Sequence, residues 1–151
     1  MGGGTPLSRW IRRKGRPRRT GPSTETREAV FRRDGDRCVR CGMFVRTWGA
    51  SIQHRKPRGM GGTKDPSINS AANLIVLCGD GVRGCHGWVE SHRDEAHAAG
   101  WSLPWWEDPT TVPVTYWDGR KYLLTSEGDR NAVHADADGS VVGQTALAVD
   151  A

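Results

Sequence analysis

A chain of 151 residues has room for one small domain and its tails, and with 36% hydrophobic residues and a mean hydropathy of −0.63 its core must be lean. No apolar run approaches the roughly 20 residues of a membrane span, and the basic start lacks the apolar stretch of a secretory signal. The net charge of +5 is concentrated, because residues 1–20 carry seven Lys/Arg and no acid while residues 126–151 carry Arg130 against five acids.

Residues 1–22 are rich in Gly, Pro and Arg and are expected to form a disordered basic arm. Within it, Lys14-Gly-Arg-Pro-Arg-Arg19 is similar to an AT-hook, which makes Lys14, Arg16, Arg18 and Arg19 candidate DNA contacts. Basic side chains bind polyanions because counterions are released, so nucleic acid is the first partner to consider; the alternative is a solvated tail.

The expected domain covers 23–125. Ser23 or Thr24 can cap a helix over Thr24–Arg33, which ends at the turn Asp34-Gly35-Asp36. A strand is expected at Ala50–His54, a Gly/Pro-rich loop from Pro57 to Ser70, and a second strand at Leu74–Leu77. One helix is expected from about Cys85 to Ala99, stopped by Gly100. Trp101–Trp106 and Val112–Leu124 suggest a short C-terminal β-hairpin turning at Asp118-Gly119. Residues 126–151, rich in Ala, Asp and Gly, are expected to be a flexible acidic tail. Trp88, Trp101, Trp105, Trp106 and Trp117 would either fill the small core or stack on unpaired bases.

Two cysteine pairs stand out. Cys38 and Cys41 form a Cys-x2-Cys knuckle, and Cys78 and Cys85 follow after a strand, a loop and a strand. In a reducing compartment such pairs are metal ligands rather than disulfides, and a structural Zn2+ held by four thiolates would supply stability that a lean core lacks. The glycines at 79, 81 and 84 are expected to make the second loop flexible enough to bring both sulfurs to one ion.

The order Cys38-x2-Cys41, Ile52-Gln-His54-Arg-Lys-Pro-Arg, Asn73-Leu-Ile-Val-Leu-Cys78 and Cys85-His86-Gly-Trp-Val-Glu90 closely resembles the HNH endonucleases, especially small phage-encoded ones, over roughly residues 25–105. The resemblance implies an α+β fold with a ββα-metal core that holds one divalent ion, Mg2+, Mn2+ or Ni2+, against a scissile phosphate. By position, His54 looks like the general base, Asn73 like the residue that holds the loop bearing His54, His86 like a metal ligand with a catalytic role, and Glu90 like the second ligand. His86 and Glu90 are four residues apart, so on a helix they share one face; His92 is rotated some 240° from His86, and His97 lies roughly 16 Å along the axis.

The family usually has His or Asp where this chain has Gln53, and an amide is an uncharged, weaker ligand. Arg55, Lys56, Arg58 and Lys64 crowd the loop after His54, where phosphate-neutralising groups are needed. The function implied is metal-dependent hydrolysis of DNA in a host bacterial cytoplasm, linked to packaging or homing, with phage packaging proteins as further partners. The alternative is a zinc-stapled DNA-binding module that does not cut.

Overall fold

The helix α1 (Thr24–Arg33) begins where the Ser23 hydroxyl accepts the Thr26 amide at 3.1 Å, satisfying one of the donors that a helix start leaves free. The structure, a computed structural model, describes residues 21–46, 49–59, 63, 65–135 and 141–144. After α1 comes the knuckle of Cys38 and Cys41. Gly42 closes it with φ +75, and a Cβ at that position would stand 2.7 Å from the Trp117 ring.

Strand β1 (Ala50–His54) pairs antiparallel with β2 (Leu74–Cys78), with Ala50 opposite Cys78 and His54 opposite Leu74. Every residue of β2 is buried, which its unbroken apolar run Leu-Ile-Val-Leu requires. Helix α1 packs against β2, as does α2 (Gly84–Ser91). Each buried aliphatic side chain there contributes about 1.5–3 kcal/mol.

The single helix expected over 85–99 is two. Helix α2 ends at Ser91, and α3 (Arg93–Ala98) follows a break at His92, whose φ of −124 and ψ of 65 are not helical. Side chains compete for the backbone at this point: the single Ser91 hydroxyl proton is shared between the Gly87 and Trp88 carbonyls, 3.0 and 3.1 Å away, and the His92 ring stacks on Trp88 at 4.4 Å. Gly100 stops α3 with φ +73, as the sequence suggests.

Strands β3 (Val114–Thr115) and β4 (Lys121–Leu124) form the expected hairpin, but the sheet continues. Strands β5 (Arg130–Ala135) and β6 (Val141–Gln144) extend it in the order β3-β4-β5-β6, all antiparallel. For 130–135 and 141–144 this corrects the reading of 126–151 as an unstructured tail; residues 136–140 and 145–151 lie outside the described residues. Ladder bonds are made by backbone, so the polar composition did not forbid them, and the Arg130 guanidinium lies over the Tyr116 and Tyr122 rings at 4.8 and 4.5 Å, pinning the start of β5. Residues 101–106, expected to be extended, form turns and bends instead.

The architecture is thus mixed α+β with two small antiparallel sheets. Trp88 and Trp101 pack on the core, whereas Trp105, Trp106 and Trp117 are 71%, 69% and 51% exposed, so the aromatic-core reading holds for the first two alone. Among the described residues no helix is long and apolar enough to cross a membrane.

A buried ionic network joins these parts. Arg33 makes two bonds to the Asp34 carboxylate, at 2.8 and 3.0 Å, and donates to the carbonyls of Ala71 and Leu74. Asp34 in turn accepts the Val76 amide and the Tyr116 hydroxyl. Burial works against the Arg33 charge, but Asp34 outweighs it and the pKa is raised; burial and the same carboxylate raise that of Tyr116.

Candidate metal centre and catalytic cleft

The two cysteine pairs meet. The Sγ atoms of Cys38, Cys41, Cys78 and Cys85 all lie within 4.8 Å of one another. Four thiolates about 2.3 Å from one zinc stand about 3.8 Å apart in a tetrahedron, and Cys41 Sγ and Cys78 Sγ are 3.8 Å apart. The donor set is all sulfur and closed by protein, so these residues can hold a metal ion such as zinc.

The loop between Cys78 and Cys85 is a bonded turn rather than a flexible one. Asp80 Oδ1 accepts the amides of Val82 and Arg83, and Gly79, at φ +83, lies where a Cβ would stand 2.2 Å from the Arg83 carbonyl oxygen. Burial pushes the Cys85 thiol up to about 11 and also raises Cys38, a desolvation cost that a bound cation offsets. Arg40, which the sequence reading passed over, donates to Cys85 Sγ at 3.5 Å and lies over the Trp88 ring at 3.8 Å, placing a positive charge beside the sulfurs.

A cleft of about 240 Å³ opens beside this cluster, lined by Gln53, His54, Arg58, His86, Glu90 and Arg93 among others. A larger open groove between α1 and the start of β1 is lined by Arg27, Glu28, Phe31, Arg32, Asp36 and Arg46 but, among the described residues, by no histidine or cysteine. The smaller cleft therefore gathers His54, Gln53, His86 and Glu90, four of the candidates chosen from sequence. Helix α2 supplies two of them. His86 and Glu90, one turn apart on α2, both reach β1, His86 meeting Ser51 and Glu90 accepting from Gln53.

His54, at the end of β1, meets Asn69 Oδ1 through Nε2 at 3.0 Å. Burial holds its pKa below the ordinary imidazole value, against the Asn69 hydrogen bond, and Arg58 and His86 lower it further. The ring is therefore neutral at pH 7 and able to accept a proton.

Asn73 is fully buried just before β2. Its Oδ1 accepts the Lys56 amide at 2.7 Å and its Nδ2 donates to the Ile68 carbonyl at 2.9 Å, so one amide ties the chain after His54 to the turn that carries Asn69. Gln53 Nε2 donates to Glu90 Oε1 at 3.0 Å, and Arg93 Nη2 donates to Glu90 Oε2 at 2.9 Å. Burial lowers the pKa of His86 despite the opposing charges of Glu90 and Asp80.

The basic residues chosen from sequence divide. Arg55 is no DNA contact: it is 1% exposed and its guanidinium donates to the carbonyls of Gly100, Ala72, Pro109 and Val112. Two residues beyond Gln53, it continues the buried side of β1, as the period of two along a strand requires. Lys56 is paired with Asp65 at 3.2 Å, while Arg58 lines the cleft. Lys64 and the arm residues Lys14, Arg16, Arg18 and Arg19 lie outside the described residues.

His92 and His97 stay clear of the cleft, the first stacked on Trp88 and the second 3.0 Å from Glu107. Ser51, Asn69 and Arg93 were missed, since hydroxyls, amides and helix-surface arginines are too common in sequence to signal a site. Comparison of the chain with protein-family models, curated proteins and solved structures finds no match.

Proposed function

We propose that the protein is a metal-dependent DNA endonuclease of HNH type, built on a ββα-metal core and stapled by structural zinc. The observation that supports this reading is the convergence on one cleft of a neutral, half-buried histidine, His54, with the pair His86 and Glu90 from the opposite element. His54 takes a proton from the attacking water, and Asn73 keeps the loop behind it in place. His86 and Glu90 would hold the divalent ion; when bound, it polarises the phosphate and stabilises charge on the leaving oxygen. Arg58 and Arg93 stand at the same cleft as groups for phosphate oxygens.

A second reading has its own support. Glu90 is already engaged by Gln53 and Arg93, the situation expected of a zinc-stapled module that binds DNA without cutting it. Supercoiled plasmid incubated with zinc-loaded protein and Mg2+, Mn2+ or Ni2+ separates the two. Nicked or linear product is expected, and His54→Ala should lower the rate by roughly 10²–10⁴-fold with zinc content unchanged. No product with any of the three ions favours the binding module, and full activity in His54→Ala removes the general-base role.

A further inference from the structure

Ser51 lies on β1, two residues before Gln53, and its hydroxyl touches two groups across the fold. Oγ is 2.8 Å from the Gly79 carbonyl oxygen and 2.5 Å from His86 Nδ1. A hydroxyl has one proton to give, and a carbonyl can only accept. The proton therefore goes to Gly79, and the Oγ lone pair must receive a proton from the other neighbour. His86 Nδ1 is consequently the protonated nitrogen, and in a neutral ring Nε2 is left with the lone pair.

We infer that Ser51 is a positioning residue that fixes His86 in the Nδ1–H form, so that Nε2 is presented to a divalent cation in the cleft. This rests on the reading of His86 as a cation ligand in the proposed nuclease. Which ring nitrogen meets a metal is set by the hydrogen bond that the other nitrogen makes, and loss of such a partner typically weakens metal binding by about 10–100-fold. Ser51 has a reason to be so placed. Gly79 follows Cys78 directly, so the hydroxyl is oriented by the backbone of the cysteine loop and transmits that orientation to the ring.

The test is imidazole 15N correlation on the full-length, zinc-loaded protein. The wild type should show His86 Nδ1 with the shift of a protonated nitrogen and Nε2 with that of an unprotonated one. Ser51→Ala should move both shifts toward exchange between the two forms or toward Nε2–H, and Ser51→Thr, which keeps the hydroxyl, should restore the wild-type pattern. Titration with Mn2+ alone should show affinity reduced about 10–100-fold in Ser51→Ala and recovered in Ser51→Thr.

A proton on Nε2 in the wild type overturns the assignment without any variant. Unchanged shifts in a Ser51→Ala protein with full zinc content overturn the role of Ser51. If the shifts behave as expected but the wild type binds no Mn2+, the cation-presenting role fails together with the nuclease reading, and the selection of the ring form by Ser51 is upheld.

Discussion

Arg55 and Arg58 stand three positions apart in one basic stretch and both border the cleft, yet Arg55 is buried while Arg58 is only half-buried. The guanidinium of Arg55 has five donors in a planar fork, and four backbone carbonyls from separate segments close around it. Burial, with Arg33 nearby, pulls its pKa down to about 9, so the group remains charged at pH 7 and its value lies in gathering carbonyls that would otherwise be buried unpaired. Arg55→Lys keeps the charge but loses the fork. It should lower stability by about 2–4 kcal/mol in urea denaturation, because an ammonium cannot span the four acceptors. Arg55→Gln, which removes the charge, should leave the salt dependence of DNA binding unaltered; a folded Arg55→Gln protein with a shallower salt slope would return Arg55 to the DNA surface.

Between elements, the pair Arg33 and Asp34 joins α1 to β2 and, through Tyr116, to the segment joining β3 and β4. Removing the carboxylate leaves a buried cation alone, so Asp34→Ala should cost about 3–5 kcal/mol, whereas Tyr116→Phe, which removes one bond to a charged group, should cost about 1.5–3 kcal/mol. Equal losses from the two substitutions would mean that the network is not centred on the carboxylate.

The short turn at Pro66–Asn69 has its own electrostatic clamp. Asp65 accepts from the Ser67 hydroxyl and amide and from Lys56, and these bonds hold its carboxyl down to about 2. Since the folded value is depressed, its contribution is complete above the unfolded carboxylate range and is lost as pH falls from about 4 through about 2. The Asp65 carboxyl 13C signal should therefore titrate near 2, and a midpoint near 4 would show that the clamp does not form. Because this turn presents Asn69 to His54, acid should disturb the cleft before it disturbs β2.

At the scale of the molecule, the cysteine cluster is expected to carry much of the stability once it holds a metal ion, since the apolar core is confined to a few short elements. Zinc bound by four thiolates contributes to folding directly, so a strong chelator should unfold the protein cooperatively, and Cys41→Ser should prevent folding. A chelated protein that keeps its circular dichroism would show the cluster to be dispensable. The sequence exposed this cluster and the order His54, Asn73, His86 and Glu90, because knuckle spacing and one-turn spacing are local properties. It hid the Asp34–Tyr116 bond, whose partners are 82 residues apart, and the bond between Ser51 and His86, 35 residues apart. Strands β5 and β6 were hidden for another reason, since backbone pairing leaves little trace in composition.

Chain order adds a consequence for biosynthesis. On a growing polypeptide, Cys41 emerges 37 residues ahead of Cys78, while Cys85 arrives immediately before His86. Completion of the four-cysteine set and delivery of the second cleft histidine thus coincide on the ribosome, and a nascent chain truncated before that point has neither.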